Sequence, residues 1–238
     1  MKKILIAVFV VVLVLLGGVL VVPALIDWNA YKDEIAARVG AATGRPVTIA
    51  GDIRLSLLPT PALSVRDARV ASLPGAAEPD MARVKELDVR VSFPALLRGH
   101  VEVESVALID PVLVYEVLAD GRSTWDFAPD AGAEPPAAGG NGGFGPSVSF
   151  EQVTIRNGTL AYRDTRTGRA ERVEKVDARV VAGSLNGPFQ AQGTFVLRGV
   201  ALRGELTSGR FTEGASVPLR ASISLPDTDA ALRFAGII

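Results

Sequence analysis

From Ile4 to Val22 no charged or polar side chain interrupts the chain, and Pro23-Ala24-Leu25-Ile26 extends the apolar run. At about 1.5 Å per residue a helix of this stretch is roughly 28 Å long, close to the ~30 Å hydrocarbon core of a bilayer. Its Val and Ile would weaken a helix in water, but in lipid the backbone must bond within its own segment and helix wins. The pattern predicts a transmembrane signal anchor over residues 1–26. Lys2 and Lys3 lie at the membrane interface, hold the N-terminus in the cytoplasm and send the body across. The rival is a cleaved signal peptide, whose apolar core is usually only ~7–15 residues. Val22-Pro23-Ala24 is a poor cleavage site for it.

After the anchor the pattern changes. Asp27 is placed to cap a short helix running to about Thr43, with Trp28, Tyr31, Ile35, Val39 and Ala42 as its apolar stripe. Gly44 suits a left-handed end and Pro46 stops continuation. The segment reads as an amphipathic helix with Trp28 and Tyr31 at headgroup level, as a helix capping a β domain, or as both at once. From Val47 onward apolar and polar residues alternate over 47–49, 53–57, 63–66, 87–91, 101–104, 106–109 and 112–117. Pro59, Pro61, Pro74-Gly75, Pro94, Pro111 and Asp120-Gly121 punctuate these runs. Only residues 94–97 suggest another helix. The expected fold is therefore mainly β: a transmembrane helix, a short amphipathic helix, then a curled antiparallel sheet of repeated strand-turn-strand units.

Residues 128–146 hold too little apolar mass to fold and read as a Gly/Pro/Ala-rich linker or long loop. They separate a first β region, 27–127, from a continuing one, 147–238. Gly140-x-Gly142-x-x-Gly145 lacks the preceding strand and following helix that a dinucleotide site needs. Two internal similarities suggest repetition. Residues 101–121 lie over 148–168 without a gap, matching Val106 to Val153, Leu113 to Leu160 and Tyr115 to Tyr162. Residues 84–91 resemble 173–180.

Charge and composition remove several functions. The 25 Lys+Arg nearly cancel the 26 Asp+Glu, so the composition offers no basic field to attract nucleic acid and no acidic tail. Cysteine is absent, which removes thiol chemistry, zinc–thiolate sites and disulfides, and His100 is the only histidine. There is no Gly-x-Ser-x-Gly, His-Glu-x-x-His or phosphate loop. Asp52, Asp67, Asp88 and Asp110 have no metal-ligand spacing, and Glu102 with Glu104 reads as a solvated strand face. No enzymatic activity, cofactor or metal is expected.

Several pieces occur in a specific order: Asp27-Trp28-Asn29-x-Tyr31-Lys32, Thr43-Gly44-Arg45-Pro46-Val47-x-Ile49-x-Gly51, Leu55-Ser56-Leu57-x-Pro59-x-Pro61, Phe93-Pro94-x-Leu96-Leu97-Arg98-Gly99, Val106-x-Leu108-x-x-Pro111 and Asp120-Gly121. Together with the anchor they resemble the N-terminal region of the AsmA family over residues 1 to about 127. Family members commonly carry Asn before the tryptophan after Asp-Gly, where this chain has Thr124-Trp125. The resemblance implies a relative of TamB-like and chorein-type proteins, held in the bacterial inner membrane with a periplasmic body. It further implies handling of membrane phospholipid along an apolar β-groove, and a part in outer-membrane biogenesis. The alternative is a structural or assembly factor that binds other cell-envelope proteins.

Candidate groove-lining positions are Val101, Val103, Val148, Phe150, Phe195 and Leu197, for which an ordinary sandwich core is the competing reading. About a dozen strands at ~4.8 Å reach only ~60 Å, short of a bridge across an envelope. The chain ends inside an apparent strand at Ile238 and is expected to be an N-terminal fragment of a longer protein, with a genuinely short family member as the alternative.

Overall fold

The computed structural model describes residues 27–57, 60–98, 102–126, 150–182, 187–211, 216–226, 228 and 230–237. The expected anchor with Lys2 and Lys3, the 128–146 linker, His100, Val101 and Val148 lie outside them. Among the described residues no helix is long and apolar enough to cross a membrane.

Asp27 caps as its position predicts: its carboxylate accepts from the Asn29 amide at 3.0 Å and starts a 3-10 turn, Trp28–Tyr31. The chain continues into α1, Lys32–Thr43, which Gly44 ends at φ 65°. The buried side of α1 differs from the expected stripe. Ala36 is buried, whereas Tyr31 and Val39 are exposed. At Gly40 an added Cβ would stand 3.0 Å from the Arg45 carbonyl oxygen. Such close approach favours small residues on the facing side of α1. The Asn29 side-chain oxygen accepts from the Ile53 amide at 3.0 Å, and Lys32 lies 3.7 Å from Asp52. The helical segment thus covers one edge of the sheet that follows.

Among the described residues that sheet has twelve strands. They are β1 Val47–Ile49, β2 Ile53–Ser56, β3 Ala62–Ala71, β4 Asp80–Val91, β5 Val103–Ile109 and β6 Val112–Val117. After the linker come β7 Phe150–Asp164, β8 Arg169–Ala182, β9 Phe189–Leu197, β10 Val200–Ser208, β11 Pro218–Ser224 and β12 Ala231–Ile237; α2, Phe93–Leu97, joins β4 to β5. β1 and β2 lie end to end against β3, and β5 and β6 lie end to end between β4 and β7. Twelve strands therefore make ten rungs, and from β7 onward each strand pairs with the next.

The sheet is mixed, not purely antiparallel as expected: β5 and β6 run parallel to β7. Parallel neighbours need a long return connection, and residues 118–149 supply it. The parallel register is also the gapless similarity found in the sequence. Val106 pairs with Val153, Leu113 with Leu160, and Tyr115 with Tyr162, whose rings stack at 6.0 Å. β4 and β8, which carry the second similarity, flank this pair on either side.

A row of left-handed residues crosses the strands: Asp67, Asp110, Asn157 and Lys175 have φ between 49° and 51°. Asp and Asn tolerate this conformation better than other non-glycine residues. Lys85 Nζ lies 3.1 Å from the Asp110 carboxylate, which accepts from Asn157 Nδ2 at 2.6 Å. Asn157 N donates to Asp177 at 3.0 Å. The hydrogen bond from Asn157, then the Lys85 ammonium, hold the Asp110 carboxyl below the usual carboxylate range. A depressed folded-state pKa stabilises above the unfolded value, about 3.9, and that contribution is lost as pH falls through the folded pKa. Wild-type protein is therefore expected to lose its margin over Asp110→Asn on acidification from about pH 5 to pH 3, read as converging thermal midpoints. A pH-independent difference would show that the contact contributes no linkage.

Beyond this row a buried knot ties the loops together. Glu116 is 1% exposed; its carboxylate accepts from the Ala77 amide at 3.0 Å and the Thr165 hydroxyl at 3.1 Å. Thr124 Oγ1 accepts from the Glu116 amide at 3.0 Å, and Trp125 Nε1 donates to the Val114 carbonyl at 2.8 Å. Arg45 reaches the Asp126 carbonyl at 3.0 Å. Arg45 of Thr43-Gly44-Arg45-Pro46 thus ties the end of α1 to the loop after β6, and Thr124 caps β6 from within.

Candidate functional site

Residues directly opposite in a ladder share a face, so register alone traces what each face carries. Ile53 and Leu55 of β2 pair with Val65 and Leu63, which pair with Leu87 and Val89. These pair with Leu108 and Val106, and those with Ile155 and Val153. The line continues through Ala178 and Val180, then Gly193 and Ala191, then Gly204 and Leu206. It ends through Ile223 and Ala221 at Leu232 and Phe234 of β12. Every position is aliphatic, aromatic or glycine. The result is an apolar ribbon two side chains wide, crossing ten rungs over about 43 Å at ~4.8 Å per step.

The intervening positions face the other way and are almost all polar. Arg54, Ser64, Asp88, Ala107 and Thr154 follow one another from β2 to β7. Arg179, Gln192, Glu205, Ser222 and Arg233 carry the row to β12.

The left-handed row does not flip the ribbon. β9 alternates without a bulge, and its Ala191 and Leu197 pair with Val180 and Val173, which lie on either side of Lys175. Val180 and Val173 therefore share a face, as do their partners Val153 and Leu160 on β7. The left-handed residue absorbs one step of the alternation. A second apolar line, Val47–Val70–Ala82–Leu113–Leu160–Val173–Leu197–Val200, consequently widens the same face.

Exposure grades along the ribbon. Ile53, beneath the 3-10 turn, is 2% exposed; Leu232 and Phe234 on the last rung are 74% and 56% exposed. Among the described residues the helical segment packs on β1 and β2, and the rest of the substantial packing is between strand neighbours. The β7–β12 part of the ribbon is a single layer open to whatever lies against it.

Of the expected lining residues, Phe195 and Leu197 stand on this face. Val103 lies opposite Val91 across the irregularity that follows Arg90, and is buried. Phe150 is its ladder partner at the start of β7. Trp28 and Tyr31 contact each other at 6.3 Å, with Tyr31 exposed, beside the covered edge. Most of the ribbon was not picked out from the sequence, because alternation shows that a strand has two faces but not which neighbour meets which. Among the described residues no group of three acidic or histidine side chains could hold a metal ion.

The model of the AsmA family matches residues 1–212 of this chain. No curated protein and no solved structure matches.

Proposed function

This chain belongs to the AsmA family, and from that premise we propose that it is a non-enzymatic, inner-membrane-anchored periplasmic protein that guides phospholipid acyl chains along the apolar ribbon. Family membership fits a role in outer-membrane biogenesis or assembly. The observation that carries the finer reading is the ribbon's continuity. Acyl chains need an unbroken dry surface rather than a specific polar site, and each CH₂ taken from water contributes about 0.8 kcal/mol. The ribbon starts beside residue 27, where the anchor is expected to end, and leads away from it.

Photo-crosslinkers placed in the full chain in cells test this. Probes at Phe195 and Leu206 are expected to capture phospholipid, while probes at Ser64 and Ala107, on the polar face of β3 and β5, capture none. Equal labelling from both faces would overturn the assignment. The second reading, an assembly factor that docks envelope proteins, is favoured by β12, which among the described residues pairs with β11 alone. A probe at Leu232 that captures protein and no lipid would support it.

A further inference from the structure

The polar face of the sheet is not electrically even. Arg179 and Arg233 lie in one ladder row with Gln192, Glu205 and Ser222. Arg203 is two residues from Glu205, Arg220 two from Ser222, and Arg156 two from Thr154, so all five arginines project from this face. All five are exposed, and none forms an ion pair within 4.0 Å among the described residues. Only Asp177 and Glu205 oppose them on strands β7–β12 near this row, and Asp177 accepts from the Asn157 amide at 3.0 Å. Five positive charges against two leave a local excess of three in a chain whose overall net charge is −1. Between β2 and β5 the same face mixes its signs: Arg54 and Arg90 against Asp88, Arg66 3.6 Å from Glu86.

The neighbours of these arginines fit one chemistry. Thr154, Thr194 and Gln192 line, with Arg156, Arg179, Arg203 and the carboxylates Asp177 and Glu205, a shallow depression of about 500 Å³. Guanidinium groups bind phosphate bidentately, and hydroxyl and amide groups supply further donors. Across β9–β12 this face carries no aromatic residue, whereas protein interfaces are anchored by buried aromatic side chains. A broad basic surface without an aromatic anchor suits a layer of phosphate groups better than a folded partner.

We propose that the arginine face of β7–β12 docks on the phosphate layer of an anionic phospholipid bilayer, independently of the apolar ribbon on the opposite face. Arg179 and Arg233 stand four rungs apart, about 19 Å, so several headgroups are engaged at once.

The test uses the full chain held by its expected anchor in phosphatidylcholine nanodiscs and mixed with fluorescent vesicles. Co-flotation is expected with phosphatidylglycerol vesicles and not with phosphatidylcholine vesicles. It should fall at least tenfold between about 50 and 500 mM NaCl, and at least tenfold in Arg179→Gln/Arg203→Gln/Arg220→Gln. The matching triple lysine variant should retain part of it, because charge persists while bidentate geometry is lost. Circular dichroism confirms folding of each variant. Equal capture of both vesicle types, or capture of phosphatidylglycerol unchanged in the glutamine variant, would overturn the proposal. So would displacement by polyglutamate at lower charge concentration than by phosphatidylglycerol, which would mark the face as a protein-binding one. Leu206→Glu, which tests the ribbon, is expected to leave this docking intact, so the two faces fail separately.

Discussion

Gly193→Ala is expected to lower the thermal midpoint by roughly 6–12 °C, while Gly204→Ala on the adjoining strand shifts it by less than about 3 °C. The two glycines face each other in the β9–β10 ladder, on the ribbon side, and neither has positive φ. They differ in what a methyl group would meet. At Gly193 an added Cβ would lie 2.4 Å from the Asp177 carbonyl oxygen and 2.8 Å from the Ala178 Cα, both backbone atoms of β8. At Gly204 the nearest obstacle is the Phe195 ring at 3.1 Å, a side chain that can turn. Overpacking against a yielding side chain costs about 1 kcal/mol, and against fixed backbone about 3 kcal/mol or more. The β8–β9 register already shifts between Glu174 and Asp177, so the ladder has little freedom there. Thermal melts of both variants decide the matter; equal shifts would mean that the β8 backbone yields as easily as a ring. Loss at Gly193 would also part the ribbon at its middle.

The order of elements was largely legible because most strands are half-buried and alternate. The strands at 47–49 and 112–117 and the short helix near 94–97 follow directly from that pattern. The parallel pairing of β5 and β6 with β7 was not read, although its register lay in view as the similarity of 101–121 to 148–168. Like residues in that similarity, such as Tyr115 and Tyr162, are side-by-side neighbours in the parallel ladder.

A more specific signal was also missed. Leu63-x-Val65-x-x-Ala68-x-Val70, Ala82-x-Val84-x-x-Leu87-x-Val89, Val106-x-Leu108-x-x-Pro111-x-Leu113 and Val153-x-Ile155-x-x-Gly158-x-Leu160 share one spacing. The doubled gap holds Asp67, Asp110 and Asn157, the left-handed residues in three of the four strands. Period-2 reading treats the doubled gap as a break between strands, so β3 and β4 were each seen only in part. The face of α1 was misjudged for a different reason. Tight packing at Gly40 selects small residues, and a search for large apolar ones points at Tyr31 and Val39 instead.

Val153→Glu is expected to abolish lipid capture by a probe at Phe234 on β12, five rungs away, while capture by a probe at Leu87 on β4 persists. A carboxylate set in an apolar track must either stay ionised against hydrocarbon or be neutralised, at a cost of several kcal/mol. That is enough to lower occupancy of its rung a hundredfold or more. If lipid enters beside the expected anchor and advances rung by rung, one blocked rung in the middle empties every rung beyond it. If each rung instead takes lipid from solution independently, Val153→Glu affects only its neighbours and the Phe234 probe still labels. Thr154→Glu, one residue along on the polar face, introduces the same charge in the same strand and should change neither probe. Thermal melts of both variants separate blockage from unfolding, since Val153 is only half-buried in a single-layer sheet. The same logic gives a gradient: Leu232→Glu at the last rung should silence Phe234 alone, and Leu87→Glu near the covered edge should silence every probe from β5 to β12. A position-dependent series of this kind distinguishes a path from a row of separate binding patches, which equilibrium lipid binding to the whole protein cannot do.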